Sequence, residues 1–234
     1  MELPIKGWQK TSLIDYPPYT SSVIFLGGCN FRCSFCHNPD LVIDHHKVKD
    51  IKPEKIIEHL KTKKKWIDGV CITGGEPTLY YDLYEFIYKL KKEGFLIKLD
   101  TNGTNPDYLK YLIDNKLVDY IAMDIKAPLE KYDYVVETKT DKESIKKSVE
   151  IIKNSGIDYE FRTTAVPDLL NKDDFLKIGK WLKGSKRYCI QQFRNSRKLI
   201  DKGLEKSEPY SSEELQEFAN KLNTYFDNIE VKNV

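Results

Sequence analysis

Three of the chain's five cysteines fall within eight residues, in the stretch Gly27-Gly28-Cys29-Asn30-Phe31-Arg32-Cys33-Ser34-Phe35-Cys36-His37-Asn38. Their spacing is C-x3-C-x2-C. Thiolates held this close suit a soft metal or an iron–sulfur cluster. Three is one fewer than closes a structural zinc site or a fully ligated cubane. Such a loop leaves one metal position open, and an open position means chemistry. A structural zinc module is the non-enzyme alternative, with Cys29, Cys33, Cys36 and His37 as ligands. Adjacent Cys36 and His37 would be awkward joint ligands. Five cysteines with three crowded together make a poor disulfide framework and a good reduced-compartment metal pattern.

A second set of reactive side chains recurs further on. In the apolar runs that read as strands, charged residues appear with period two. Lys98, Asp100 and Asn102 oppose Ile97 and Leu99; Ala122, Asp124 and Lys126 oppose Ile121, Met123 and Ile125. Glu160, Arg162 and Thr164 oppose Tyr159 and Phe161, and Gln192 and Arg194 share a face. Glu76 sits in Gly74-Gly75-Glu76-Pro77, directly after another apolar run. These faces could be solvated, or could hold buried ion pairs with no ligand. A site is the stronger reading, because the ends of parallel strands are where barrels and open sheets build their sites. Mixed charge suits a ligand bearing both signs, such as an amino acid zwitterion. Glu76 could meet an ammonium, and Lys126 or Arg162 a carboxylate.

The elements that must position these groups alternate along the chain. Strands are expected at 21–27, 70–73, 95–100, 120–125, 157–166 and 187–193, from apolar runs bounded by turn residues. Helices are expected at 53–65, 83–92, 106–116, 142–154 and 173–182, from apolar residues at helical spacing with Pro or Gly punctuation. Ser211 caps a last helix to about Phe226, and Ile229-Glu230-Val231 reads as a short final strand. Residues 1–20 read as an ordered lead-in loop, because Pro17-Pro18 forbids a helix. Residues 37–52 read as a polar connection; its adjacent His45 and His46 could bind metal, although solvated loop histidines are commoner. Six strands alternating with helices imply parallel βαβ units in one α/β domain. An open doubly wound sheet and part of a (βα) barrel both fit. No G-x-G-x-x-G follows the first strand, so a dinucleotide fold gains no support.

Composition narrows the class. The 234 residues suit one large α/β domain, and 40% apolar content is enough for a core. The balance of 38 basic and 36 acidic residues argues against a nucleic-acid surface. No apolar run approaches the roughly 18 residues of a membrane span. Met1-Glu2-Leu3-Pro4 carries no signal-peptide pattern, and a cytoplasmic protein is expected.

Cys29-x3-Cys33-x2-Cys36 followed by Gly74-Gly75-Glu76-Pro77 resembles the radical S-adenosylmethionine (SAM) enzymes. The resemblance covers the whole chain. It implies a single domain, 1–234, built as a partial (βα)6 radical-SAM barrel, with a lead-in at 1–20, a βα core at 21–200 and a C-terminal helix and short strand at 201–234. It implies one 4Fe-4S cluster on Cys29, Cys33 and Cys36, whose fourth iron takes the amino and carboxyl groups of SAM. Reductive cleavage then gives methionine and a 5′-deoxyadenosyl radical that abstracts hydrogen. By the same resemblance, Gly74, Gly75 and Glu76 read the amino group, and Phe35 packs near the adenine. Asp100, Asp124, Lys126 and Arg162 surround the methionine carboxylate, with a monovalent cation in some members, and Thr101 belongs to the cofactor-binding set. His37 belongs to the cofactor-binding set, and Gln192 and Arg194 fall where the sixth core strand contacts the adenosine.

Within the superfamily, Lys10-Thr11-Ser12-Leu13-Ile14-Asp15-Tyr16-Pro17 and Cys36-His37-Asn38-Pro39 are similar to the glycyl-radical-enzyme activating proteins. Asp100-Thr101-Asn102-Gly103 and Asp124-Ile125-Lys126 match activase motifs too. The nearest resemblance is to the activators of anaerobic ribonucleoside-triphosphate reductase. The implied partners are a glycyl radical enzyme and a flavodoxin or ferredoxin-type electron donor, without nucleic acid or membrane. Pro18 stands where related chains often have glycine, and no cysteine lies between His37 and Val70, so a ferredoxin-like insert is lacking. An activase of a pyruvate formate-lyase-like enzyme and a small-molecule enzyme similar to carboxy-deazaguanine synthase are the alternatives. Cys71 and Cys189 read as core residues.

Overall fold

The computed structural model describes residues 3–195 and 198–232. Met1 and Glu2, at the start of the lead-in segment, lie outside the described residues, as do 196–197 and 233–234.

Six βα units form the core. Each apolar run becomes a strand and each amphipathic stretch returns over the sheet as a helix. The units are β2 (Ser21–Leu26) with α2 (Pro53–Thr62), β3 (Gly69–Gly74) with α3 (Leu83–Lys92), and β4 (Leu96–Thr101) with α4 (Pro106–Asp114). They continue with β5 (Tyr120–Asp124) and α6 (Lys142–Lys153), β6 (Asp158–Ala165) and α7 (Lys172–Trp181), and β7 (Ser185–Gln192) and α8 (Ser212–Leu222). Two strands flank this core: β1 (Ile5–Ser12) and β8 (Phe226–Lys232). One sheet holds all eight in chain order. Strands β2 to β8 run parallel, and β1 lies antiparallel to β2. The order does not return on itself, so the sheet is an incomplete barrel.

Local chemistry sets the helix ends. Proline occupies the first turn of α2 and α4, where its missing N–H costs nothing. Asn171 and Ser211 form capping boxes with Asp174 and Glu214 at the starts of α7 and α8. One face of the sheet is apolar. Ile97, Leu99, Ile121, Met123 and Phe161 are fully buried on it, in one core with Phe86 and Leu90 of α3, Leu109 and Leu112 of α4, and Val149 of α6. Each such side chain contributes roughly 1.5–3 kcal/mol of transfer free energy. The opposite face carries the charged residues.

The structure corrects the lead-in. Residues 5–12 form a strand, where a loop was expected. Only Ile5 and Ser12 of this edge strand are buried, so its apolar pattern is weak, and Pro17-Pro18 lies beyond it. The connection 37–52 contains a one-turn helix, α1 (Pro39–Val42), and a 3₁₀ turn at His45–Lys47. A short helix, α5 (Tyr132–Val136), was also missed. Strand β8 is longer than expected and joins the sheet beside β7. Among the described residues no helix is long and apolar enough to cross a membrane.

Candidate functional site

The cysteine loop leaves the C-terminal end of β2, where parallel pairing sets Leu26 beside Gly74 of β3. Backbone hydrogen bonds join the two loops that follow. Gly75 N–H donates to Leu26 O at 2.8 Å, and Glu76 N–H donates to Gly28 O at 2.8 Å. This stitch explains the glycine pair. A Cβ on Gly75 would lie 1.8 Å from Gly28 O, and Gly74 has φ +119° with Leu26 O 2.3 Å from where its Cβ would be. On the far side, Arg32 Nη1 donates to the carbonyls of Cys29 (2.7 Å) and Phe31 (2.8 Å).

The three thiols line one cavity of about 200 Å³. Burial pushes Cys29 up to about 11 and Cys33 up to about 12, and raises Cys36 as well. Unligated, they are thiols; a bound metal would take them as thiolates. Backbone N–H groups already face two of the sulfurs, Phe31 N on Cys29 Sγ and Asn38 N on Cys36 Sγ, both at 3.4 Å. Among the described residues, no three His, Cys, Asp or Glu side chains converge on a single ion. The three thiols share one cavity wall. That donor set fits a cluster, in which each thiolate takes a different iron. His37 does not complete a zinc tetrad here: its Nε2 lies 3.1 Å from Arg194 O and its ring stacks on Phe193. His45 and His46 meet edge to face and belong to no metal cluster among the described residues.

Glu76 is fully buried at the cavity wall. Its Oε1 accepts from Thr78 N (3.0 Å), Thr78 Oγ1 (2.5 Å) and Thr101 Oγ1 (2.8 Å), and its Oε2 from Asn102 N (2.6 Å). Burial raises its pKa despite these donors. A carboxylate offers about four lone-pair sites, two per oxygen. Oε1 is therefore saturated, and Oε2 keeps one direction for a further donor.

A ladder of alternating charge runs along the cavity wall from Lys126 to Asp100 and continues beyond it to Lys98. Lys98 Nζ lies 2.9 Å from Asp100 Oδ1, and Arg162 Nη1 lies 3.1 Å from Asp100 Oδ2. Arg162 Nε reaches Asp124 Oδ1 at 2.8 Å, and Lys126 Nζ reaches Asp124 Oδ2 at 2.9 Å. The Lys98–Asp100 contact has ion-pair distance without hydrogen-bond geometry, since Asp100 Oδ1 makes no hydrogen bond. Parallel register explains the ladder, because Asp124 of β5 pairs with Arg162 of β6. Within the cavity itself, Lys126 and Arg162 stand among Asp100, Asp124 and Glu76. Burial alone would raise Asp124, but Arg162 and Lys126 beside it hold its carboxyl down at about 2. Lys126 Nζ also lies 5.8 Å above the ring of Phe35.

Most of the residues singled out in the sequence meet at this cavity. Cys29, Cys33, Cys36, Phe35 and His37 line it from the cysteine loop, and Gly74, Gly75 and Glu76 from the turn after β3. Asp100, Thr101, Asp124, Lys126 and Arg162 line it from β4 to β6. Gln192 and Arg194 are not among the lining residues. Gln191 lines the cavity instead, and Gln192 points away, donating from Nε2 to Tyr210 O at 2.7 Å. The pairing Thr164↔Gln191 puts Gln191 on the polar face. Asn102 also lines the cavity and was not singled out as a site residue. Cys71 and Cys189 are buried on β3 and β7, outside it.

The chain is similar to proteins of known family. The Radical SAM superfamily model matches residues 23–182. A Methanocaldococcus jannaschii protein, assigned by name to the glycyl-radical enzyme activating enzymes, is 35% identical over all of this chain and 98% of its own length. The pyruvate formate-lyase-activating enzyme of Streptococcus mutans is 30% identical over 73% of this chain and 68% of its own. Among solved structures, Streptococcus suis SuiB bound to S-adenosylmethionine superposes with TM-score 0.66 at 14% identity. That match covers 88% of this chain and 48% of SuiB, and speaks for the fold alone.

Proposed function

This chain belongs to the radical SAM superfamily, and from that premise we propose that it activates a glycyl radical enzyme. We propose anaerobic ribonucleoside-triphosphate reductase as the partner. The observation that carries the chemistry is one cavity walled by three cysteines, by Glu76 and by the ion-paired Asp100, Arg162, Asp124 and Lys126. It provides for a cluster, an ammonium and a carboxylate side by side. A relative that matches end to end, named as an activating enzyme, supports the partner class.

Cys29, Cys33 and Cys36 would hold a 4Fe-4S cluster, which when bound would supply the electron for reductive cleavage of SAM. The protein's own residues hold and orient. The remaining lone pair on Glu76 Oε2 receives an ammonium donor, and the backbone stitch from Gly28 to Glu76 keeps that carboxylate in register with the cysteine loop. Lys126 spends one of its three N–H donors on Asp124 and offers the others to a carboxylate. Arg162 is committed to two aspartates and acts by holding them. The carboxylates of Asp100 and Asp124 on the cavity wall are where a monovalent cation would be held in this reading. The electron donor is proposed to be a flavodoxin or ferredoxin-type protein, and the compartment the cytoplasm.

Relatives named as pyruvate formate-lyase-activating enzymes favour one second reading, in which the partner is a pyruvate formate-lyase-like enzyme. One experiment separates the two. The reduced protein is incubated anaerobically with SAM and each candidate partner, and glycyl radical is measured by electron paramagnetic resonance. Radical on the reductase alone supports the first reading, and radical on the lyase-like enzyme alone replaces it. Radical on neither, with SAM still cleaved, moves the assignment to a small-molecule substrate.

A further inference from the structure

Asn102 follows β4 at the bottom of the cavity and is 4% exposed. Its orientation is fixed without ambiguity. The side-chain Oδ1 accepts from the backbone N–H of Thr104 at 3.0 Å, so the carboxamide nitrogen must point the other way. That nitrogen donates to Asn30 Oδ1 at 2.8 Å and lies 4.0 Å from Cys29 Sγ. The surroundings close into a ring. Asn102 Nδ2 donates to Asn30 Oδ1, Asn30 Nδ2 donates to Thr104 Oγ1 at 2.9 Å, and Thr104 Oγ1 donates to Asn102 Oδ1 at 2.8 Å. The ring uses one of the two amide hydrogens, and the second faces the sulfur. The backbone N–H of the same residue donates to Glu76 Oε2.

The Cys29 and Cys36 sulfurs therefore differ. Cys29 has a backbone donor and the Asn102 amide, whereas Cys36 has one backbone donor. Iron ligation turns a thiol into a thiolate, a far stronger acceptor than the neutral sulfur. A donor fixed beside a ligating sulfur favours the more negative, reduced cluster and raises its potential. We propose that Asn102 is a positioning residue that holds an N–H on the Cys29 sulfur and sets how readily the bound cluster accepts its electron. The proposal rests on the cluster reading given above.

The test is a redox titration of the anaerobically reconstituted full-length protein, followed by electron paramagnetic resonance. It compares wild type, Asn102→Ala, Asn102→Asp and Asn30→Ala, with iron and sulfide measured for each. Asn102→Ala removes the donor. Asn102→Asp keeps the Thr104 contact while replacing the amide with charge. Asn30→Ala breaks the same ring but leaves the Asn102 amide on the sulfur. The expected result is wild-type iron content throughout. At a fixed poise, Asn102→Ala has a reduced-to-oxidised ratio about tenfold lower, equivalent to about 59 mV for one electron. Asn102→Asp falls further, and Asn30→Ala stays with wild type. Equal potentials in wild type and Asn102→Ala would overturn the proposal, and so would equal shifts in Asn102→Ala and Asn30→Ala. Iron loss confined to the Asn102 variants would make the residue structural and overturn it too. A wild type that binds no cluster would sink the parent reading as well, which separates the two failures.

Discussion

Replacing Arg162 with methionine is the sharpest probe of the charged wall. Arg162 is the middle rung of the ladder, and its side chain is 11% exposed. It is therefore not a surface pair worth a few tenths of a kcal/mol. Nε and Nη1 each hold a different aspartate, so methionine leaves Asp100 and Asp124 side by side with only Lys98 and Lys126 at the ends. Breaking a buried pair by removing one partner costs about 3–5 kcal/mol. For a domain of this length each kcal/mol moves the thermal midpoint by about 2–4 °C, so a fall of about 6–20 °C is expected. Arg162→Lys keeps the charge but cannot fork to two carboxylates, and should fall between methionine and wild type. The assay is thermal unfolding of the reduced apoprotein, which isolates the ladder from any cofactor. A methionine variant within about 3 °C of wild type would refute the account of the wall, because it would mean that the aspartates do not depend on Arg162.

Further predictions concern the loop and the acid limb. Cys33→Ala should abolish iron binding while Cys71→Ala leaves iron unchanged, since Cys71 faces Lys98 at 4.0 Å and lies outside the cavity; equal iron loss in both would erase that division. Gly75→Ala must push the turn away from Gly28 O, and iron content after reconstitution should drop sharply; normal loading would show that the stitch does not position the cysteines. The Asp124 carboxyl is held at about 2 against an ordinary 3.8. Its folded pKa is depressed, so its contribution is complete above the ordinary value and is lost as pH falls toward 2. The unfolding free-energy gap between wild-type apoprotein and Asp124→Asn should narrow by about 2 kcal/mol between about pH 5 and pH 2, measured by denaturant titration. A gap independent of pH would contradict the pairing with Arg162 and Lys126.

Local spacing made the cysteine loop and the Gly74–Pro77 turn legible, because their chemistry lies within a few residues of chain. Period two made the ladder legible, since Asp100, Asp124 and Arg162 each alternate with buried apolar neighbours on their own strands. Side-chain phase at a strand's end was not legible. The sequence reading puts Gln192 at the adenosine, whereas the structure puts Gln191 in the cavity wall, and a one-residue difference in phase moves a side chain to the opposite face. Only the pairing of β7 with β6 fixes that phase, and pairing is a long-range property. Strand β1 escaped because an edge strand that buries only its ends shows little alternation. Asn102 was legible as a member of the polar face of its strand, but its role was not, because Thr101-Asn102-Gly103 reads as a turn. Its contacts come from Asn30 and Cys29, more than seventy residues earlier.

The central claim is that this cavity holds a cluster that cleaves SAM, and one anaerobic measurement addresses it directly. Wild-type protein is reconstituted to about four irons and four sulfides per chain, reduced, and given SAM, and 5′-deoxyadenosine is quantified beside a Cys33→Ala control. The account predicts 5′-deoxyadenosine and methionine in equal amounts from wild type and none from the control. Fully loaded, reduced wild type that leaves SAM intact would contradict it.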